Sequence, residues 1–297
     1  MQAEMDQAAG TAASRSDASE RELSGLDALE LHGGRPPSRV QAVWAAVWPK
    51  AAAVLVALLA WQVVVWSGWR PPYALPGPGQ VLPELWRLLG EPGFWHAIGT
   101  TMRRAAVGFA IATVIGLVIG VATARIRQLR VAIGSLITGL QTMPSIAWFP
   151  LAILLFQLSE NAMYFVVILG AAPSIANGVI AGVDYVPPLL QRVGRNLGAS
   201  GLQLYRHVIM PASLPSIVGG LKQGWAFAWR SLMAGELLVV IAATPSIGLR
   251  LDTARQLNQA TGLIAWMIVI LVIGILVDVL FGRANTAIRR RWGVLDA

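Results

Sequence analysis

Six apolar stretches divide the chain, and each is long enough to cross a membrane as a helix. A helix rises about 1.5 Å per residue, so roughly 20 apolar residues span the hydrocarbon layer. Within lipid, a helix satisfies every backbone polar group inside its own segment. The sequence therefore predicts an all-α integral membrane protein with six transmembrane helices, at about 51–68, 98–121, 132–157, 161–183, 214–243 and 262–281.

Two of these stretches are irregular. The third contains Pro144 and Pro150, and the fifth is longer than one crossing requires. Proline inside a membrane helix indicates a kink or a broken segment whose backbone faces protein or water. In the second stretch, Gly116 and Gly120 form a pair of small residues that is typical of closely packed helices.

Charge is scarce and unevenly distributed. Only 13% of the residues are charged, against about a quarter in soluble domains. A basic chain often binds nucleic acid, but in a chain dominated by apolar runs the excess of arginine reflects topology. With a cytoplasmic N-terminus, the inside segments hold thirteen arginines and lysines and the outside segments at most six. The sequence predicts both termini in the cytoplasm, contact with membrane lipid and no nucleic-acid partner.

The apolar pattern also predicts the organisation of the chain. The outside segment begins with prolines and glycines and contains a short surface helix near Val81–Leu89. The predicted parts are a disordered cytoplasmic tail at 1–45, a first transmembrane helix at 46–69, an outside segment at 70–97, a five-helix core at 98–283 with a cytoplasmic loop at 187–213, and a cytoplasmic tail at 284–297.

Residues 196–211 form a basic, amphipathic loop between the fourth and fifth stretches. Leu197, Leu204 and Val208 recur at helical spacing, and Pro211 is expected to end the element. Two interpretations fit this pattern. One is an interfacial helix that lies on anionic lipid headgroups. The other is a short helix that fits a groove on a soluble partner.

The motifs of this loop resemble the cytoplasmic signature of ABC importer permeases, in the nitrate/sulfonate/taurine/bicarbonate branch. The likeness extends over most of residues 75–291. It rests on Leu197-Gly198-Ala199-Ser200, Gln203-Leu204, His207 through Pro211, Leu214-Pro215-Ser216-Ile217, Gly220-Leu221, Leu75-Pro76, Gly77-Pro78, Arg104 with Gly108-Phe109, Met143-Pro144 through Leu151, Asn177 with Gly182, and Glu236.

The resemblance implies a type I ABC importer architecture in a bacterial inner membrane. It further implies a permease homodimer, two ATP-binding subunits and an extracytoplasmic solute-binding protein. The loop would be the coupling helix that docks on the ATPase, with Gly198 at a tight turn and Leu204 and Tyr205 as docking side chains. Where the family often has Glu-Ala-Ala, this chain has Arg192-Val193-Gly194. The implied coupling residues are Gly198, Ala199, Ser200, Leu204, Tyr205, Arg206, His207 and Pro211.

The chain carries no ATPase motif of its own. A phosphate-binding loop of the G-x-x-x-x-G-K-[S/T] type needs a lysine after glycine. The two lysines are Lys50, which follows Pro49, and Lys222, which follows Leu221. ATP and magnesium are therefore expected on a partner subunit, and no cofactor is expected on this chain.

A protease interpretation also has to be considered, because Gly198-Ala199-Ser200-Gly201 matches the G-x-S-G motif of rhomboid intramembrane proteases. That chemistry needs a histidine base on a later span. The three histidines are His32, His96 and His207, and none lies in a later span. Cysteine is absent, and no metal ligands cluster in the sequence. We therefore predict no catalytic residue and no metal site.

Polar side chains within the spans are the candidate pathway residues, because a charge at mid-membrane costs on the order of 2.5–3.5 kcal/mol. In the fifth span, Lys222, Trp225, Trp229, Met233 and Glu236 share one helix face, which is predicted to line the bundle interior or a partner copy. Lys222 is expected to reach the interface. A buried Arg230 is expected to pair with Glu236 or to attract an anionic solute. Six residues is a poor spacing for a pair within one helix, so another span or the solute is expected to supply the partner. The pathway candidates are Arg104, Ser145, Asn177, Trp229, Arg230 and Glu236.

The sequence thus predicts the permease subunit of an ATP-driven importer for a small anion. A sulfonate is the first expectation, with nitrate or bicarbonate next. The alternative is an ATP-independent secondary transporter or channel, and the remote alternative is the rhomboid-like protease.

Overall fold

The computed structural model describes residues 39–291, and over this range it is helical without a strand, which confirms the all-α prediction. The helices are α1 (Arg39–Trp66), α2 (Pro78–Leu89), α3 (Pro92–Arg125), α4 (Arg127–Thr142), α5 (Phe149–Phe156), α6 (Glu160–Asp184), α7 (Pro188–Asn196), α8 (Gly201–Leu204), α9 (Met210–Leu238), α10 (Ile247–Gln256) and α11 (Ala260–Arg291). A 3₁₀ turn at Ser145–Trp148 precedes α5, and a π-helical turn at Tyr205–Ile209 precedes α9.

The chain divides into one unit that ends at Trp61 and a second that begins at Gln62. Residues 1–38 of the first predicted tail and 292–297 of the second lie outside the described residues. Helix α1 begins at Arg39 and α11 ends at Arg291, so both helices extend into segments that the sequence assigned to tails. In the first unit, the apolar residues Val54, Leu55 and Val56 of α1 are exposed, as suits a helix in lipid.

Four helices are long and apolar enough to cross a membrane by length and composition: the segments Val47–Trp66, Pro92–Arg125, Glu160–Asp184 and Ala260–Ile288. A fifth span is possible where Gln128–Thr142 and Ser145–Phe156 meet at an angle of 103°. This bend lies at Pro144 and confirms the predicted break in the third stretch. Helix α9 does not meet the same criterion, because it carries charged side chains. The count of six spans stays a prediction.

Helix α6 lies at the centre of the second unit, between α3 and α9. Its residues Val166, Val167, Ala171 and Ile175 are fully buried. Such a helix packs through small side chains, because the facing helices approach closely on two sides. Because α6 is covered on two sides, most of its circumference is apolar, as expected for a buried helix.

Glycine makes the contact between α3 and α6 possible. A Cβ atom on Gly116 would lie 2.8 Å from the carbonyl oxygen of Ala172, and one on Gly120 would lie 2.7 Å from the Cβ of Val179. Both distances are too short for a side chain. The predicted role of Gly116 and Gly120 in close helix packing is confirmed.

Helix α2 is the surface helix predicted near Val81–Leu89, and it begins slightly earlier at Pro78. Val81 and Leu88 are buried, whereas Trp86 on another face is exposed. On the polar face, Arg87 pairs with Glu84 at 2.6 Å and also with Glu91. The hydrogen bond from Arg87 holds the pKa of the Glu84 carboxyl below its ordinary value.

The contact between α6 and α9 gives a test of the packing. A Cβ atom on Gly220 would lie 2.7 Å from the Cα of Gly178, whereas one on Gly219 would meet nothing within 4 Å. We expect Gly220→Ala to force the helices apart and to lower the free energy of unfolding by about 1–3 kcal/mol. Thermal unfolding of the detergent-solubilised chain measures this effect. The control Gly219→Ala should leave stability unchanged or raise it, and equal transition temperatures for both variants would contradict the packing account.

Candidate functional site

A buried polar cluster forms around Glu236, in the last turn of α9. Its carboxylate accepts hydrogen bonds from the Thr101 hydroxyl at 2.9 Å and from the backbone N–H of Gly248 at 3.0 Å. The Nη1 atom of Arg104 donates to the same carboxylate at 3.1 Å. We call this group the Glu236 cluster, and it consists of Thr101, Arg104, Glu160, Glu236, Thr244, Ile247 and Gly248.

All three nitrogen atoms of the Arg104 guanidinium donate hydrogen bonds. Besides Glu236, it donates from Nε to Glu160 at 2.9 Å and from Nη2 to the Thr244 hydroxyl at 2.6 Å. Arg103 also donates to Glu160, at 2.9 Å. Arg104 and Glu236 are each 1% exposed, and a charge so deeply buried requires a partner of opposite sign. Arg104 and the exposed Arg103, which lies outside the cluster, together balance the charges of Glu160 and Glu236.

The beginning of α10 supplies the remaining donors. The N–H of Ile247 donates to the Thr101 hydroxyl at 3.0 Å, and Ser246 caps the helix by accepting from the N–H of Leu249 at 3.3 Å. Free N–H groups and the helix dipole both favour a carboxylate at this position. A Cβ atom on Gly248 would collide with Glu236, so this close approach needs glycine.

The sequence left the partner of Glu236 open, and this geometry identifies it on another helix. Glu236 pairs with Arg104 of another helix and not with Arg230, because six residues along α9 separate the two side chains around the helix. The prediction that Arg230 is buried is wrong. Arg230 is exposed, its Nε donates to the Ala226 carbonyl at 2.9 Å, and its guanidinium lies 4.7 Å from the centre of the Phe227 ring.

The prediction that one face of α9 lines the interior of the bundle is confirmed for four of its five residues. Trp225, Trp229, Met233 and Glu236 are all buried within the chain. Lys222, at the other end of this face, is half-exposed and pairs with Asp278 of α11 at 3.0 Å. A cavity of about 180 Å³ lies between α9 and α11, and we call it the α9–α11 cavity. It is lined by Lys222, Trp225, Ala226, Trp229, Arg230, Gly274, Asp278 and Phe281.

The smaller polar candidates connect α4 to α6. Asn177 donates to the side-chain carbonyl of Gln141 at 3.4 Å, and the Gln141 amide donates to the Ser174 hydroxyl at 2.9 Å. Ser145 lies half-buried in the 3₁₀ turn. Sequence reasoning missed Gln141, although a glutamine inside an apolar stretch is itself a signal of a hydrogen-bonded contact.

The loop between α7 and α9 lies at the other ends of α6 and α9 from the Glu236 cluster. Gly198 ends α7 with a φ of 87°, and the N–H of Ala199 donates to the Gly194 carbonyl at 3.0 Å. This left-handed glycine is the tight turn that the family resemblance implied. The π-helical turn then leads directly into α9.

Pro211 does not end the element, as the sequence led us to expect. It lies in the first turn of α9, where a proline is tolerated because the first N–H groups of a helix have no partner within it. Proline is compatible both with a helix end and with a helix start, so the residue alone did not distinguish them.

The burial of the loop corrects one expected docking side chain. Leu204 is 7% exposed and packs against Gly194, whereas Leu197 and Leu202 are 82% and 70% exposed. Tyr205 is half-buried, and its ring lies 4.2 Å from the guanidinium of Arg125. The side chains of Leu197 and Leu202, not that of Leu204, face outward.

The remaining loop residues surround a groove. Arg206 and His207 are exposed, and the His207 ring contacts the Gln203 carbonyl at 3.0 Å. Gly194 leaves room for the side chains of Leu204 and Val208. A groove of about 510 Å³ lies beside the loop, lined by Pro187, Leu190, Val193, Gly194, Leu197, His207, Val208, Pro211, Ala212 and Pro215.

Two neighbouring arginines test the burial of the cluster. We expect Arg104→Gln to lower the free energy of unfolding by about 3–5 kcal/mol, because it leaves Glu236 buried without its cation. The matched variant Arg103→Gln removes an arginine whose side chain is 58% exposed, and it should change stability by less than about 1 kcal/mol. Denaturant unfolding in detergent distinguishes these outcomes. Similar losses for both variants would rule out the special role of Arg104.

Comparison with known proteins places this geometry in a family. Residues 94–290 match the model of the binding-protein-dependent transport system inner membrane component. The taurine transport system permease protein TauC of Escherichia coli (strain K12) is 29% identical over 228 residues, covering 75% of this chain and 82% of that protein. The bicarbonate transport system permease protein CmpB of Synechococcus elongatus is 30% identical over 239 residues, covering 76% and 84%.

A solved structure supports the fold. The MetNI methionine ABC transporter in an inward facing conformation aligns with a TM-score of 0.57 and 19% identity, over 67% of this chain and 99% of the matched chain. The type I ABC importer architecture predicted from the sequence is thereby supported at the level of the fold. The sequence match and the helical fold together show that the chain belongs to the inner-membrane permease components of binding-protein-dependent ABC transport systems.

Proposed function

We propose that this permease conducts a small anion through the membrane, with a sulfonate as the first expectation and nitrate or bicarbonate next. The names of two relatives support an anionic solute, because taurine carries a sulfonate group and bicarbonate is itself an anion. The observation that carries the proposal is the charge of Arg230, which has no carboxylate partner within residues 39–291.

Arg104 and Arg230 differ in whether their charge is already used. Arg104 is enclosed by two carboxylates, so it has no charge to offer a solute without first losing a partner. Among residues 39–291, no carboxylate lies within ion-pair distance of Arg230. A lipid-facing arginine at mid-membrane costs on the order of 3 kcal/mol, so Arg230 faces water or another chain.

The surroundings of Arg230 suit a compact anion. A guanidinium binds a planar or tetrahedral oxyanion through two parallel hydrogen bonds. In the adjoining α9–α11 cavity, the buried indole N–H of Trp225 has no hydrogen-bond partner among the described residues, and Lys222 lines the same cavity while paired with Asp278. A donor left without a partner in a buried position is satisfied when a ligand oxygen reaches it.

The loop end of the bundle is proposed to face the cytoplasm and to dock on a separate ATP-binding subunit. Leu197 and Leu202 are exposed apolar side chains beside the exposed cations Arg195 and Arg206, a surface suited to a soluble partner. ATP binding would close the ATPase pair, move the loop and open the pathway of a permease homodimer to a solute-binding protein outside. Hydrolysis would reset the cycle. A channel or secondary transporter would not need this surface.

Replacement of Arg230 tests the anion proposal. In vesicles that contain the permease, the ATPase and the binding protein, Arg230→Ala should lower the initial rate of taurine uptake at least tenfold, because the pathway loses its unpaired cation. Arg230→Lys keeps the charge and should retain a larger part of the rate. The control Arg283→Ala removes another exposed arginine, on α11, and should have no effect. Full uptake of taurine, nitrate and bicarbonate by Arg230→Ala would refute the anion role.

Adjacent loop residues test the docking proposal. Leu202→Ser removes an exposed apolar side chain and should reduce co-purification of the ATPase subunit severalfold. Gln203→Ser changes an exposed polar neighbour in the same turn and should leave co-purification intact. The amount of ATPase recovered per permease is the measurement. Should Leu202→Ser retain the ATPase fully, the loop surface described here would not be its docking site.

A further inference from the structure

The Glu236 cluster connects α10 to three long helices at the end of the bundle away from the loop. We propose that this cluster is a latch, which holds α10 over that end in the resting state and releases it during transport. The inference rests on the proposed coupling of the permease to an ATPase. It assigns to Glu236 the positioning of α10, a role separate from any contact with solute.

The latch depends on one carboxylate. Helix α9 ends at Leu238, two residues after Glu236, and the chain folds back so that α10 begins at Ile247. The first two N–H groups of α10 then bind Thr101 and Glu236. The Glu236 side chain is thus shared between the cation of Arg104 and the beginning of α10, and it holds both in register.

The cluster favours two discrete positions of α10 over a continuous range of positions. Its two deeply buried charges, Arg104 and Glu236, are paired with each other, and the partly exposed Glu160 also pairs with Arg104. A small displacement of α10 therefore leaves N–H groups and a carboxylate oxygen without partners. Such an arrangement is stable when closed and strongly disfavoured when half-open. Packed interfaces of this kind change between alternative pairings and do not deform gradually.

Helix α3 connects the cluster to the loop. It carries Thr101 and Arg104 in its first half and ends at Arg125, whose guanidinium lies 4.2 Å from the centre of the Tyr205 ring in the loop. Between these points, α3 packs closely on α6, with Gly116 against Ile175 and Gly120 against Val179. A displacement of the loop therefore has a continuous helix through which to reach the latch.

The absence of cysteine from the sequence makes the latch directly measurable. Ile247→Cys places a thiol at a fully buried position of α10, and Thr253→Cys places one at an exposed position of the same helix. Combined with Ile247→Cys, Glu236→Gln should raise the rate of maleimide labelling at least tenfold, because α10 loses its anionic anchor. Labelling of Thr253→Cys should stay fast and unchanged.

Two further variants control for general loosening of the fold. Glu84→Gln makes the same chemical change in an exposed ion pair and should leave the Ile247→Cys rate unaltered. Thr101→Val is a milder change within the cluster, since it replaces one hydroxyl with a methyl group of nearly equal volume. It should also raise the labelling rate of Ile247→Cys, by a smaller factor than Glu236→Gln. If Glu236→Gln does not fold, Thr101→Val provides the measurement in its place.

The labelling of Ile247→Cys in the assembled complex tests the release itself. The rate should be slow without nucleotide and should rise severalfold with a non-hydrolysable ATP analogue and the solute-binding protein. If Glu236→Gln and Thr101→Val leave the rate of the isolated permease unchanged, α10 is not held by the cluster. If they raise it but nucleotide does not, the cluster is a static anchor and the latch is refuted. Neither result depends on which anion is transported, so failure here is separable from failure of the Arg230 experiment.

Discussion

The burial of Arg104 against Glu236 is the interaction on which one end of this bundle depends. Neither ion is tolerated alone in an apolar interior, so each fixes the position of the other. Four helices contribute to the pair or its immediate partners: α3, α6, α9 and α10. The carboxylate also accepts a hydrogen bond from the N–H of Gly248, and the Thr101 hydroxyl accepts one from the N–H of Ile247, so the first N–H groups of α10 have partners in the cluster. One ion pair thereby sets the relative height of three long helices and the position of the helix that follows them.

Helix α9 carries both candidate regions, which explains its unusual composition. It begins at the loop and ends at the Glu236 cluster, with Lys222 and Arg230 between them. These side chains lower its hydropathy, so it does not pass a criterion based on length and composition, although it packs extensively against α6. Hydropathy measures what a helix would present to lipid. A helix that presents its polar residues to protein or to a pathway can cross the membrane and still have a low mean hydropathy.

Local features were predictable from the sequence, whereas long-range pairings were not. The bend at Pro144 and the small-residue contact at Gly116 each follow from the local properties of one or two residues. The turn at Gly198 was implied by the family resemblance, and its φ of 87° suits glycine. The partner of Glu236 lies 132 residues away in the chain, and no local pattern encodes such a distance. Leu204 was misjudged for a related reason, because its burial depends on the space that Gly194 leaves in another helix.

The contrast between Arg104 and Arg230 shows how structure changes the meaning of a charged residue in a membrane protein. Both were candidates for the pathway on the same ground, that an arginine within a span needs a reason. For Arg104 the reason is its ion pairs with Glu236 and Glu160, in which its charge stabilises the fold. Arg230 stacks on Phe227 and has no carboxylate partner among the described residues. Its charge remains to be balanced by water, a second chain or a solute, and this imbalance is what makes it the stronger functional candidate.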